Sequence, residues 1–283
     1  MSAAQSTLSE SKSTPAHSTA NASCKTLPID YLLHLADNAL VLGQRNAEWS
    51  GHGPILEEDI ALSNNSLDLV GQARLLYQEA AAQMGNGATE DTLAYFRDVK
   101  DFKNYTLLEL PHHAPLAGTS ASERDFATTL VRNFLYSALM VLVWDKLQHA
   151  PHSQLAAIAA KSLKEVRYHL RHSRDWLLRM GDGNAESHAR AQAAVNHLMP
   201  YTQEFWTSTA YESEAAHITG LDMASLQIDW NQIVNDALLE ATLKRPADGG
   251  FVTTGKQSVH SEHLGFMLAE MQSLARAHPN ATW

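Results

Sequence analysis

Glu48, Asp68, Glu165 and His169 are the residues whose types and positions bear most directly on chemistry in this chain of 283 residues. Carboxylates and histidines on facing helices are the donors of a di-iron centre, which takes a Glu from each of two helices and a Glu-x-x-His pair from each of the other two. Residues three apart share a helix face, so one such pair reaches a single metal cluster. Two segments carry that literal spacing. Glu109-Leu-Pro-His112 contains a proline that ends its helix, and Glu214-Ala-Ala-His217 lies in a short acidic helix beyond the four long ones. Where bundle ligands belong, the set is incomplete. Glu48 closes the first helix, Asp68 is followed three residues on by Gly71, and the third helix has no carboxylate between Asp125 and Asp145. Glu165 is followed by Tyr168, with His169 one position late, and Lys161 and Lys164 share that face. The spacing favours a buried polar network over a metal pair: Glu48, Asp68 and Glu165 paired with Lys161 or Lys164, and His169 hydrogen-bonded among them. On this reading Glu165→Ala strands a buried lysine at a cost of ~3–5 kcal/mol. The alternative is a metal-dependent oxygenase that uses Glu48, Asp68, Glu165 and His169 directly.

Other chemistries find less support. No Gly-x-Gly-x-x-Gly, Walker or Gly-x-Ser-x-Gly segment is present. His260-Ser-Glu-His263 reads as helix capping and surface contact. Arg167, Arg171 and Arg174 form a basic stripe, ordinarily a solvated face. Against a net charge of −10 it also suits an acidic partner or a phosphate. That negative balance argues against nucleic acid as a partner. The single cysteine, Cys24, excludes a disulfide framework and any multi-cysteine zinc or iron–sulfur site. The 15 histidines invite a metal reading, but they scatter over tail, loops and helix surfaces, and only His169 approaches the would-be site.

The elements that position these residues are helical almost throughout. Residues 1–26, rich in Ser, Thr and Ala, lack apolar periodicity and read as a disordered tail, leaving 27–283 as one helical domain. The tail has no apolar core of a secretory signal, and no run of about 18 apolar residues suggests a membrane span, so a cytoplasmic protein is expected. Long helices are predicted at 29–48, 55–84, 123–149 and 153–180, with short pieces at 90–97 and 102–109 and a loop at 111–122. Further helices are predicted at 185–207, kinked by Pro200, and at 209–218, 222–243 and 258–277. The pattern is all-α, a bundle of four long helices with extra C-terminal helices.

Six dispersed runs resemble the PaaC family. They are Asp37-Asn-Ala-Leu-Val-Leu-Gly-Gln-Arg45, Glu48-Trp-Ser-Gly-His52, Leu67-Asp-Leu-Val-Gly-Gln-Ala-Arg74, Glu90-Asp-Thr-Leu-Ala94, Lys164-Glu-Val-Arg-Tyr-His-Leu-Arg171, and the run from His260 through Leu264 and Met267 to Gln272. The resemblance spans about Tyr31 to Trp283 and departs from the family mainly in the extra N-terminal tail and a long 115–122 loop. It implies a ferritin-like fold and a structural, metal-free role beside a homologous PaaA-like subunit that carries di-iron and binds the CoA thioester. It further implies a small PaaB-like bridging subunit and a reductase with FAD and an iron–sulfur centre. Together these use NADPH and O₂ to form a ring 1,2-epoxide of phenylacetyl-CoA. In that setting the C-terminal helix, through Glu262, Phe266, Met267 and Met271, is a candidate partner interface.

Overall fold

The computed structural model describes residues 26–113, 124–279 and 281. Residues 1–25, most of the expected tail, and the expected 115–122 loop lie outside them. Ten α-helices are described: α1 (Ile29–Ala47), α2 (Leu56–Met84), α3 (Glu90–Tyr95), α4 (Thr106–Glu109), α5 (Phe126–Leu147), α6 (Ser153–Gly181), α7 (Ala185–Leu198), α8 (Ala210–Thr219), α9 (Gln227–Glu240) and α10 (Glu262–Ala277). Among the described residues the β-structure is a single isolated bridge between Thr254 and Val259. The all-α, ferritin-like bundle expected from the sequence is what the chain forms.

The long helices pack as two neighbouring pairs, α1 along α2 and α5 along α6, with α2 meeting α6 and α7 lying against α5. α6 shows why: Leu155, Ala159, Ser162, Val166, His169 and Ser173 recur at three- and four-residue spacing and are buried, while the opposite face is charged. α5 buries residues around most of its circumference. By length and composition α5 alone among the described helices could cross a membrane, but its apolar window is mostly buried inside the bundle, as a core helix requires. Side-chain caps set several starts. Thr89, Asn184 and Thr209 form reciprocal capping boxes with Thr92, Ser187 and Glu212, and Gly220 closes α8 in the left-handed conformation.

Three predicted helices are shorter than expected, each for a local reason. The 185–207 helix stops at Leu198 and continues as a tight 3₁₀ turn, Met199–Trp206, because Pro200 supplies no N–H. In 102–109 only Thr106–Glu109 is helical. There α1 takes the backbone donors instead: Asp37 accepts the Lys103 N–H (2.8 Å), Asn38 accepts the Tyr105 N–H (2.8 Å), and His34 Nδ1 donates to the Lys103 carbonyl (2.6 Å). The helix predicted from 258 begins at Glu262 because the preceding strap is held extended by buried carboxylates. Glu204 accepts the Lys256 N–H and the Thr253 hydroxyl at 2.8 and 2.7 Å, and Glu109 accepts the Ser261 N–H at 2.5 Å. Gly255 lets the strap pass, since a Cβ there would lie 2.5 Å from the Asn104 carbonyl.

Candidate functional site

The buried faces of the long helices carry amides where a metal bundle needs carboxylates. Asn46 of α1 and Asn133 of α5 exchange two side-chain hydrogen bonds of 2.9 Å, and Asn133 also donates to the Thr129 carbonyl at 2.9 Å. Asn65 of α2 is buried next to Ser66, whose hydroxyl donates to the Gly43 carbonyl of α1 at 2.7 Å. Neither amide atom of Asn65 has a partner among the described residues. These three asparagines do not stand out in the sequence. The only signal available there is a polar, helix-indifferent residue recurring at core positions of long helices.

The residues expected to meet in one network are split between two places. Glu48, just beyond the end of α1, turns toward the 109–112 segment. Arg45 Nη1 donates to it at 2.8 Å, and His112 Nε2 lies 3.2 Å from its second oxygen. His112 Nδ1 accepts the Thr129 hydroxyl (2.7 Å), which in turn accepts the Trp49 indole N–H (2.8 Å), so the neutral ring carries its proton on Nε2. Burial pushes the His112 imidazole down to about 4, with Arg132 and Arg45 adding to the effect and Glu48 opposing it. Partial burial works against the Glu48 carboxylate, yet His112 and Arg45 hold it below its usual range. Full burial, with Arg45 nearby, brings the Arg132 guanidinium down to about 9.

Asp68, Glu165 and His169 instead line the seam between α2 and α6. His169 Nε2 donates to Asp68 at 3.1 Å, Gln72 donates to Glu165 at 3.0 Å, and His172 Nε2 donates to Glu58 at 2.9 Å. The expected buried lysine is not there. Lys161 pairs with Glu165 at 3.0 Å but its side chain is 56% exposed, and Lys164 is also exposed, because both stand on the solvent side of the seam. A Cβ at Gly71 would meet nothing within 4 Å, so the Asp68–Gly71 spacing points to open space rather than to the bundle centre. The expected penalty for Glu165→Ala falls accordingly. Only the hydrogen bond to buried Gln72 and a surface ion pair are lost, and urea denaturation should show a loss of ~1–2 kcal/mol. A loss beyond ~3 kcal/mol would restore the buried-charge reading.

On α10, Glu262 is exposed and Phe266 is 68% exposed, but Met267 points into the core and Met271 is half-buried against it. The expected interface on this helix therefore reduces to Glu262, Phe266 and the edge of Met271.

A second group of buried charges escapes a reading of the sequence, because each member sits in a short or irregular segment or pairs with one. Asp37 accepts from Arg97, Tyr77 and the Lys103 N–H. Lys256, fully buried, binds both oxygens of Glu212 at 3.0 Å. His260 donates from Nδ1 to Glu109 (2.8 Å) and from Nε2 to the Phe102 carbonyl (2.9 Å), the pattern of an imidazolium. These pairs fasten the C-terminal half of the chain to α1 and α4.

Chemically, the arrangement does not fit a di-iron pair. Two dications need anionic donors to offset their charge, whereas the bundle interior offers neutral amides, and the Glu48 carboxylate is already paired with Arg45. Among the described residues no three His, Cys, Asp or Glu side chains come together as metal ligands.

A profile of PaaA and PaaC chains, described as phenylacetic acid catabolic protein, matches residues 4–283. The chain belongs to the phenylacetic acid catabolic protein family. It is also 42% identical over 254 residues to the PaaC-type subunit of the 1,2-phenylacetyl-CoA epoxidase of Escherichia coli (strain K12), covering 89% of this chain and 98% of that protein. The PaaC resemblance carried by six dispersed runs therefore holds across nearly the whole chain. Within the phenylacetic acid catabolic protein family, this member presents paired and amide-filled positions on its long helices rather than an assembled ligand set.

Proposed function

We propose that this chain is the PaaC-type subunit of a multicomponent phenylacetyl-CoA epoxidase in phenylacetate catabolism, and that it supports a PaaA-like catalytic subunit without holding the metal itself. The observation that carries this reading is the buried Asn46–Asn133 amide pair, with Asn65 on α2, in helices whose partners in a metal bundle would be carboxylates. The similarity to the E. coli protein supports the substrate assignment. In this reading the di-iron chemistry lies in the PaaA-like subunit. A small PaaB-like chain bridges the assembly, and a reductase with FAD and an iron–sulfur centre delivers electrons from NADPH, all in the cytoplasm. This chain contributes a rigid bundle: its four long helices are cross-tied by amides and ion pairs rather than by a cluster that must change charge during turnover.

The competing reading, an oxygenase using Glu48, Asp68, Glu165 and His169, lacks a common centre, because Glu48 is committed to Arg45 and His112 while the other three face the α2–α6 seam. Metal analysis separates the two. The chain purified alone should contain far less than one iron per molecule and leave phenylacetyl-CoA unchanged with reductase, NADPH and O₂. The same chain combined with a PaaA-like subunit should restore iron to that subunit's stoichiometry and allow epoxide formation. Two irons per isolated chain, with a coupled di-iron Mössbauer signature, would overturn the proposal.

A further inference from the structure

The outer face of α2 is apolar without being covered. Leu56 is 71% exposed and Leu67 70%, with Ile60 and Val70 exposed between and beyond them. At 100° per residue these four fall within one stripe ~80° wide and ~21 Å long. The same helix already buries Leu62, Leu69, Ala73 and Leu76 against the bundle, so core formation does not account for the second stripe. Isolated exposed apolar side chains are ordinary, but a row at helical spacing on one face marks an interaction site. Beside it, Gly71 leaves open space. Across the seam marked by the Asp68–His169 hydrogen bond, α6 turns outward the half-exposed ring of Tyr168, with the Arg171 guanidinium over it at 5.5 Å. Lys164 and Arg171 stand on this same outer side of α6 and form no ion pair among the described residues, although the chain as a whole has a net charge of −10.

Resting on the subunit reading above, we infer that this two-helix face, the Leu56–Val70 stripe of α2 with the Lys164–Arg171 edge of α6, is the surface that docks the catalytic subunit. The occupant it fits is an apolar helix stripe bordered by carboxylates. Charge selects that partner over a second copy of this chain, which would bring the same cations to the face. Extent agrees as well. α2 and α6 each run for 29 residues. Two such helices side by side, ~43 Å long and ~20 Å across, present on the order of 800 Å², the area one partner contributes to a stable interface. Tyr168 and Arg171 belong to the residue types that dominate binding energy at such contacts.

The test measures the affinity of the full-length chain for its PaaA-like partner by titration calorimetry, with variants on the proposed face and on α10. Because the altered side chains are exposed, Leu67→Glu and the double variant Lys164→Glu/Arg171→Glu should keep the wild-type melting profile. Each should weaken the complex at least tenfold, and the double variant should also flatten the salt dependence of binding. Phe266→Glu should leave affinity unchanged. If both α2–α6 variants bind as wild type, or if Phe266→Glu alone abolishes binding, the docking face is wrong while the subunit reading stands. If the isolated wild-type chain forms a dimer that Leu67→Glu dissociates, the face pairs copies of this chain and the inference fails. If the wild-type chain does not bind a PaaA-like subunit at all, the subunit reading fails with it.

Discussion

Asp37→Ala should lower the stability of the folded chain by ~3–5 kcal/mol, the cost of leaving a buried charge without its partner. Asp37 lies on α1 with no exposed surface, and its two oxygens are fully used. They accept from Arg97 Nη1 (3.2 Å) and Nη2, the Tyr77 hydroxyl (2.5 Å) and the Lys103 N–H (2.8 Å). The carboxylate neutralises Arg97, whose guanidinium lies 4.3 Å from the centre of the Phe102 ring and has little water to turn to. Burial pushes the Tyr77 hydroxyl well above its ordinary value, and the Asp37 charge adds to this, so the phenol remains a donor. Removing Asp37 strands one cation, one hydroxyl and one amide together. Asp37→Asn should also be costly, because its amide nitrogen would face donors. The change should be read as a shift in urea midpoint at constant slope, with a melting temperature lower by about 10 °C. A loss below ~1 kcal/mol would mean that water or a neighbouring group replaces the carboxylate. The effect should spread to α10, since Gln272 and Arg276 bind the Arg97 carbonyl and depend on this segment staying in place.

That hub also shows where sequence reading reaches its limit. The four long helices are legible because their apolar positions recur at three and four residues and because Gly-rich segments such as 51–54 and 85–87 interrupt them. The short helix at 102–109 is overestimated, since nothing local reveals that Asp37 and Asn38, more than sixty residues earlier, take the backbone donors. Site residues fail in a related way. Spacing tells which side chains share a face of one helix, but not which neighbour that face meets. Asp68, Glu165 and His169 are grouped on that basis, and they do lie on one seam. Glu48 follows the last turn of α1, and its direction is set by the chain that leaves the helix, so it joins His112 instead. Glu109 and His112 drop out of the ligand search because Pro111 breaks their spacing. They do serve separate partners, His260 and Glu48, yet both are central to holding the fold. The asparagines carry no charge pattern and become visible only once the bundle is assembled.

Acidification should expose the other large effect. An imidazole whose folded value lies below its unfolded value binds fewer protons when folded, so it contributes stability above the unfolded value and loses it as pH falls toward the folded one. For His112, the drop from 6.5 to about 4 amounts to ~3 kcal/mol at full extent and to ~2 kcal/mol by pH 5. The physical cause is that protonated Nδ1 would have to give up accepting the Thr129 hydroxyl in a pocket that already holds Arg132 and Arg45. His34, lowered by burial and by Lys256 despite the nearby Glu212, acts in the same direction. His260 acts in the opposite one. Burial opposes its charge, but Glu109 and the Phe102 carbonyl raise it, so its contribution is present at low pH and is lost as pH rises through the folded value. Total stability therefore mixes signs, and a single variant isolates the His112 part. His112→Asn retains an acceptor for Thr129 and removes the titration. Between pH 7.5 and pH 5, wild type should lose ~2 kcal/mol more in urea-derived stability than the variant does. Equal losses in the two proteins would show that His112 is charged at neutral pH and paired with Glu48 as an ion, which would reverse the sign assigned to this pocket.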